Sequence, residues 1–481
     1  MYDVIVRGGT VVTAEGAEPL DVAIDGERIA AVEPPGALEA EAGSVLDADG
    51  LLVLPGGVDP HVHYSLAFGP VTAESQDWSP AAALGGTTTV VDFALAEPSV
   101  SLHHAIAAKK AEAEGRMAVD WALHAIVAGP QVAPDVFDEI ADVVRGGIPT
   151  VKTFMTYGWM TDDGDRFGLM QATAAAGGMS VVHAEDDALA AFLTRRHLRD
   201  GKTHGAHIGE TRGPLVEEAA VRRALFLAER AESPLYVLHM AAGSGVEALA
   251  GARARGLPVY GETLPLYLSF TAEDLWDASG PGLLLNNYPP VKHAEDRELL
   301  WQALADDRLQ AVGTDHFGLT AEDRNVRMGT TVDALGAGHA AVELRLPLLF
   351  HLGVGSGRLG LARFVELVAT NPAKLMGLFP RKGTIAVGAD ADLALLDPAR
   401  SWTVRAEDLH TRADFSAWEG WEVTGKVVTT ILRGAVVVAD GRFVGAPAGG
   451  RFHERRIAPE ILARPLDPRP TSVALRAPAP G

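Results

Sequence analysis

The sequence predicts an α/β fold: a barrel of parallel strands alternating with helices, joined to a small β-sandwich contributed by both chain termini. Three observations lead there. Short apolar runs alternate with Ala/Leu-rich amphipathic stretches through the middle of the chain, the pattern of strand–helix units around a parallel sheet. Both ends carry instead the two-residue alternation and turn residues of antiparallel strands. The apolar runs finish, one after another, in histidine, lysine or aspartate, and a (β/α)8 barrel of the TIM type assembles its chemistry at those C-terminal strand ends.

Residues 1–55 are read as the N-terminal part of the sandwich. "DVIVRGGTVV" (Asp3–Val12) and "VAIDGERIAAV" (Val22–Val32) alternate as strands do, and Asp25-Gly26 is a hairpin turn signal. Residues 378–450 supply the C-terminal part. "GTIAVGADADLALLDP" (Gly383–Pro398) and "VVTTILRGAVVVADGRFV" (Val427–Val444, turning at Asp440-Gly441) are again strand-like. "VIVRGG" near the start and "TILRGA" near the end echo each other, which suits pairing of the two ends. Residues 451–481 are rich in proline, from Pro459 to Pro480, and are expected to form no regular element, serving as an arm on a partner subunit or as a disordered tail.

Residues 56–377 hold the barrel, whose first strand runs in from Leu51. The eight expected strands are "LLVLPGGVDPHVH", "TTTVVDFAL", "VDWALHAIV", "PTVKTFMTY", "MSVVHAED", "PLYVLHMA", "LPVYGETL" and "LQAVGTDHF". "PLVEEAAVRRALFLAERA" (Pro214–Ala231) is the clearest helix among the connections. The competing architecture is a doubly wound open sheet, which often carries a Gly-rich phosphate fingerprint after its first strand; this chain has none there.

Composition removes several functions. The 481 residues carry a formal charge of −22, from 41 basic and 63 acidic side chains, which repels phosphate backbones and anionic bilayers. Neither nucleic acid nor a membrane is an expected partner. With no cysteine, any metal must be held by nitrogen and oxygen. The opening "MYDVIVRGGTVV" lacks the basic-then-apolar pattern of a leader, and no apolar stretch reaches spanning length, so a cytoplasmic protein is expected.

In "GGVDPHVHYS" the histidines are two apart, and in extended chain residues i and i+2 face the same side, so His61 and His63 can aim at one point. The fourth strand carries Lys152, the fifth ends in His183, the sixth in His239 and the eighth in Asp315. Singly, a histidine here is an ordinary core residue, Asp315 a helix cap and Lys152 a salt-bridge partner. In this strand order they converge on one barrel mouth. Lys152 is the odd member, because an ammonium repels a cation and is costly in an apolar mouth. Burial lowers a lysine pKa, and a neutral amine takes up carbon dioxide as a carbamate, a carboxylate on a long stem that can bridge two cations. A Schiff-base lysine is the alternative, though that chemistry has no use for four histidines.

The ordered set "GGVDPHVH", "GIPTVKTFMTY", "VVHAED", "LYVLHM", "GTDH" and "NPAKLMGLFPRKGTIAVGADADLALLDP" resembles the cyclic-amide branch of the amidohydrolase superfamily, in particular the dihydropyrimidinases and hydantoinases. The likeness runs from the first barrel strand to about residue 445. It implies two zinc ions per subunit bridged by carboxylated Lys152, with His61, His63 and Asp315 on one ion and His183 and His239 on the other. It also implies a homotetramer acting on a small cyclic amide, opening a hydantoin or dihydropyrimidine to an N-carbamoyl amino acid. Asp315 would move the proton from water to the leaving nitrogen, and Tyr157, in "FMTY", would donate to the developing oxyanion.

Substrate is narrowed by neighbouring positions. Dihydroorotases typically carry arginine two places beyond the second histidine, where Ser65 stands here. Leu66 and Phe68, and then Phe154, Trp159 and Met160, are expected around an apolar or aromatic ring substituent. Two departures stand out: Tyr288 in "NNYPPVK" replaces a serine of the relatives whose main chain recognises the imide, and Ala340 lies near where many of them have asparagine. The bulk of Tyr288 puts dihydrouracil in doubt. The alternatives are an allantoinase or other cyclic imide hydrolase, and a catalytically silent scaffold of the same fold, which the six filled ligand positions disfavour. Glu185 and Glu262 are expected to hydrogen-bond ligands. His124 is read as a structural histidine, and His103, His104, His204, His207 and His316 carry no independent argument for ligation.

Overall fold

A computed structural model of the chain describes residues 1–38, 42–98, 100–129, 132–277 and 281–466. All eight apolar runs contain strands: β1 (Gly57–Asp59), β2 (Thr87–Ala96), β3 (Asp120–Val127), β4 (Thr150–Phe154), β5 (Met179–His183), β6 (Leu235–Val237), β7 (Val259–Thr263) and β8 (Ala311–Val312). They lie side by side in chain order, each parallel to the next. The ring closes just beyond β1 and β8, where Val62 bridges His316 and the His63 amide donates to the His316 carbonyl at 2.8 Å. That contact excludes the open doubly wound sheet. β2 is buried along almost all of its length, as a strand covered on both faces must be. Pro214–Ala231 is a helix over the whole expected range, with proline in its first turn and a left-handed Glu232 (φ 53°) after its end. Its buried Val216, Ala220, Ala224 and Ala228 recur every four residues along the face turned to the core.

The run "LLVLPGGVDPHVH" divides between two sheets. Leu52–Pro55 pairs with Thr10–Val12 and with Leu393–Thr403, and the barrel starts only at Gly57. Gly56 is the joint, because a Cβ there would lie 2.2 Å from Thr88 Oγ1.

A seven-stranded sheet mixes the two chain ends, uniting Thr10–Val12, Ala17–Pro19 and Leu52–Pro55 with Leu393–Thr403, Glu422–Leu432, Ala435–Ala439 and Arg442–Phe443. A four-stranded sheet (Tyr2–Arg7, Asp21–Asp25, Arg28–Glu33, Ala42–Asp47) packs on it, with Val4, Val22 and Ile24 in one apolar cluster with Val53, Leu393 and Ile431. Both hairpin turns form, Asp25 pairing with Arg28 and Ala439 with Arg442. The echoing segments do not pair: "VIVRGG" lies in the four-stranded sheet and "TILRGA" in the other. The strand expected from Gly383 begins at Leu393.

The segment from Arg451 departs from expectation. Pro459–Ala463 is a short helix, since proline in a first turn sacrifices no helical hydrogen bond. Pro468, Pro470, Pro478 and Pro480 lie outside the described residues. Residues 451–464 cross the N-terminal ends of the strands: the Trp121 amide donates to Arg451 O (2.9 Å), the Tyr260 hydroxyl to Ile461 O (2.7 Å), and Ile457 and Ile461 join Val58, Val181 and Tyr236 in one core. Arg455 is 1% exposed and donates to Met376 O (2.9 Å), Thr150 Oγ1 (2.8 Å) and Leu123 O.

Asp120, at the start of β3, ties these parts together. Its carboxylate accepts from Lys382 Nζ (2.6 Å), His453 Nε2 (2.8 Å), the Arg451 amide (2.9 Å) and the Arg433 guanidinium. Burial pushes its pKa up, but His453, Lys382 and Arg433 outweigh burial and hold it far below the usual range. Removing one member of a buried charge cluster leaves the others uncompensated, so Asp120→Ala is expected to cost about 3–5 kcal/mol. The sign follows from the lowered pKa: the stabilisation is present in full above about pH 4 and is lost as pH falls below it. Denaturant titration of both proteins at neutral and acidic pH checks it, the gap narrowing in acid.

Candidate active site

The strand ends bring the expected residues together. Beyond β1 the chain stays extended, so buried Val62 packs outward while His61 and His63 turn inward. Their Nε2 atoms lie 3.2 Å apart, and both face Asp315 Oδ1, at 3.0 Å from His61 and 3.1 Å from His63. Asp315 Oδ2 accepts from Asn287 Nδ2 at 2.8 Å. His239 places a ring nitrogen in reach of the same point, its ring centroid 5.3 Å from that of His61 and 4.5 Å from that of His183. Lys152 points inward from β4, its ammonium 4.2 Å from the centre of the Phe93 ring and 4.7 Å from that of Phe154. Among the described residues it makes no ion pair within 4 Å. Glycine is required before Asp315: a Cβ on Gly313 would lie 2.7 Å from Glu262 Oε2. Tyr157, His239 and Asp315 all sit at positive φ (64°, 36° and 51°), backbone strain of the kind held at functional sites.

Two carboxylates set the orientation of this group. Glu262 Oε1 lies 2.5 Å from His61 Nδ1, and Oε2 accepts from the Tyr236 hydroxyl at 2.9 Å, which turns His61 Nε2 into the mouth. Glu185 Oε2 lies 2.9 Å from His183 Nε2, accepts from the Tyr157 hydroxyl (3.2 Å), and pairs with Arg212 at 3.2 Å. The His63 and His239 Nδ1 atoms are buried without a partner among the described residues.

Electrostatics follow from burial and these neighbours. Burial lowers the Lys152 ammonium to about 8, against the pull of Asp315 and Glu262. It also lowers His63 to about 3, and His239 well below the ordinary imidazole value. Burial opposes charge on His61 too, but Asp315 and Glu262 overcome it and raise the imidazole to about 9. Burial would raise Glu185, yet Arg212 and His183 hold it at about 2. Asp315 stays well below the carboxylate range, since His61 and His63 outweigh its burial. Burial and Glu185 lift the Tyr157 phenol far above 10, so it remains a proton donor. Two imidazole nitrogens and a carboxylate oxygen turned on one another are a repulsive set unless a cation or proton lies among them, so the donors fit a metal.

A cleft of about 520 Å³ opens over the group. Its floor is His63, Lys152, His183, His239 and Asp315, with His61 beneath; Leu66, Phe68, Phe154 and Trp159 form an apolar wall, and Tyr157 and Tyr288 stand opposite one another. The Tyr157 and Tyr288 ring centroids are 5.6 Å apart, and the Tyr288 hydroxyl donates to Leu335 O at 2.9 Å, fixing that ring. The loop near Ala340 reaches the cleft through Ala337 and Gly338; Ala340 lines a separate small pocket. Sequence reasoning missed Asn287, Phe317 and Arg212. The first two lie within the motifs "NNYPP" and "GTDHF"; Arg212 sits in the two-residue link between the short helix Ile208–Thr211 and the helix Pro214–Ala231, a stretch without any signal. His124 is structural, its Nε2 2.9 Å from Pro60 O and its ring stacked on Phe93. His316 accepts from the Ala341 and Val342 amides at Nδ1, so its Nε2–H donates to Glu74 at 2.7 Å.

Known proteins resemble the chain over almost their whole length. The model of the amidohydrolase family matches residues 52–437. A D-hydantoinase of Rhizobium radiobacter is 38% identical over 458 residues, covering 94% of this chain and 99% of its own. A D-phenylhydantoinase of Escherichia coli is 32% identical over 467 residues, covering 95% and 100%. The crystal structure of dihydropyrimidinase from Brevibacillus agri superposes with a TM-score of 0.91 at 36% identity, covering 95% of this chain and 99% of that one. By family model, sequence and fold together, the chain belongs to the amidohydrolase family, in its hydantoinase and dihydropyrimidinase group.

Proposed function

We propose that the protein opens the ring of a 5-substituted hydantoin or a dihydropyrimidine by hydrolysis, releasing an N-carbamoyl amino acid. The observation that carries this reading is the meeting of His61, His63 and Asp315 within 3.2 Å of one another, in a cleft that also holds Lys152, His183 and His239. In this reading His61, His63 and Asp315 hold one zinc ion, His183 and His239 a second, and a carboxylated Lys152 bridges them. The lowered lysine pKa supports the carbamate, because it leaves an appreciable neutral amine at physiological pH. When bound, the cations polarise a carbonyl and lower the pKa of water.

The chain's own groups supply the rest. Water adds across the bond between a ring carbonyl carbon and the adjacent nitrogen; the carbon keeps the oxygen and the nitrogen leaves with a proton. Asp315, ionised and steadied by Asn287, takes that proton from water and hands it to the nitrogen. Tyr157, held by Glu185 beside His183, donates to the oxygen that gains charge. Leu66, Phe68, Phe154 and Trp159 enclose the ring substituent, and the fixed Tyr288 narrows the opposite side, which favours the five-membered hydantoin ring.

Tyr157→Phe is expected to lower kcat by about 10²–10³-fold with KM little changed, the pattern of a contact made in the transition state. Steady-state kinetics on one hydantoin decide it; an unchanged kcat removes Tyr157 from the mechanism. The reading as a whole is tested by ring opening of hydantoin, 5-phenyl- and 5-alkylhydantoins, dihydrouracil, allantoin and succinimide by zinc-loaded protein. The 5-substituted hydantoins are expected to react fastest. An intact panel with two metals bound per chain would show the substrate class to be wrong. A cytoplasmic homotetramer is part of the same proposal, and sedimentation equilibrium tests the assembly. Among the described residues no helix is long and apolar enough to cross a membrane.

A further inference from the structure

Outside the cleft, the segment between β5 and the helix Pro214–Ala231 gathers a second set of ligand side chains. His197 lies near the end of the helix Asp187–Arg199, while His207 and Glu210 sit on the short turns Gly205–His207 and Ile208–Thr211. His197 Nε2 is 2.8 Å from Glu210 Oε2, and His207 Nδ1 is 2.6 Å from Glu210 Oε1. One ligand atom from each of the three lies within 4.8 Å of the others.

The proton positions make this more than a hydrogen-bond chain. His197 Nδ1 lies 3.0 Å from the Leu193 carbonyl, which only accepts, so Nδ1 carries the proton. In the neutral ring Nε2 then has a lone pair, and that lone pair faces a carboxylate oxygen. The contact is repulsive unless a positive charge lies at that end of the ring. A ring nitrogen fixed on a backbone carbonyl with the other nitrogen presented inward is also how proteins prepare a histidine to bind a metal. The Trp276 side chain holds the neighbouring rings, stacking on His204 (5.0 Å) and meeting His207 edge-on (4.9 Å). The His197 side chain is 7% exposed and that of Glu210 46%, so the group is anchored on one side and open to solvent on the other. Lys202 Nζ, 3.1 Å from Glu210 Oε2 and itself 47% exposed, is a competing cation free to swing out.

We propose that His197, His207 and Glu210 form a peripheral site for a divalent transition-metal ion of the zinc class, separate from the cleft. Two imidazoles and one carboxylate suit that class, and three protein ligands leave a fourth position to solvent. The proposal stands whether or not the cleft performs the chemistry assigned to it.

The test is zinc uptake by the whole protein, already loaded at the cleft, against micromolar zinc, with metal per chain counted by mass spectrometry. The wild type is expected to take up one zinc more than His207→Ala or Glu210→Gln, while all three retain equal cleft metal, equal ring-opening rates at low zinc and equal thermal midpoints in chelator. Lys202→Ala is expected to bind the additional zinc severalfold more tightly, by removal of the competing charge. Equal uptake by the wild type and both ligand variants, or no tightening in Lys202→Ala, overturns the site.

Discussion

Asp315→Asn is expected to lower kcat for ring opening by at least about 10³-fold, the scale of losing the two roles proposed for Asp315, general base and metal ligand. The amide matches the carboxylate in shape, and its oxygen still accepts from Asn287 Nδ2, now at 2.8 Å from Asp315 Oδ2. What it lacks is the ability to take a proton, and the negative charge that faces His61 and His63 at 3.0 and 3.1 Å. The check is kcat on a reactive 5-substituted hydantoin, with metal content measured on the same samples. A variant within about tenfold of wild type would assign the proton transfer elsewhere, since that loss is only about 1.4 kcal/mol of barrier.

Lys152→Arg is expected to be at least as damaging, and more informative than truncation. Arginine stays charged at any physiological pH and takes up no carbon dioxide, so it places a fixed cation in the wall of the cleft proposed to hold the metal ions. Metal content is expected to fall below half of the wild-type value and ring opening by at least about 10³-fold, as for loss of a bridging ligand. Removing metal from the wild type by chelation should abolish activity too, and recovery should need bicarbonate as well as zinc. Full metal content and activity in Lys152→Arg would sink the carbamate.

The features readable before the structure are those with a local cause. Strands buried on both faces must be runs of apolar, β-branched residues, so all eight barrel strands were visible, "TTTVVDFAL" most plainly. The residues of the cleft floor were visible because side chains at a barrel mouth sit at strand ends, and the two-residue period turned His61 and His63 to one side. What stayed hidden depends on contacts between distant segments. That "VIVRGG" and "TILRGA" lie in different sheets is decided by register and packing, to which a repeated hexapeptide is no guide. Gly56 looks like any loop glycine until Thr88 is placed beside it. Arg212 reaches Glu185 from a loop, and His207 gains its interest only when His197 and Glu210 come alongside. Density of proline made the segment after Arg451 look structureless, although only the position of each proline within a turn matters.

That segment carries a consequence for how the molecule is made. Arg455 donates to the carbonyl of Leu123, 332 positions earlier, and the Tyr260 hydroxyl donates to Ile461 O. When β8 leaves the ribosome, every barrel strand exists but the base of the barrel does not, and the strand Leu393–Thr403, which pairs with Leu52–Pro55, and its neighbour Glu422–Leu432 are still unmade. The emerging chain therefore displays the apolar ends of finished strands for as long as the remainder takes to synthesise. Closure falls late, at high contact order, where slow folding and a need for chaperone shelter arise.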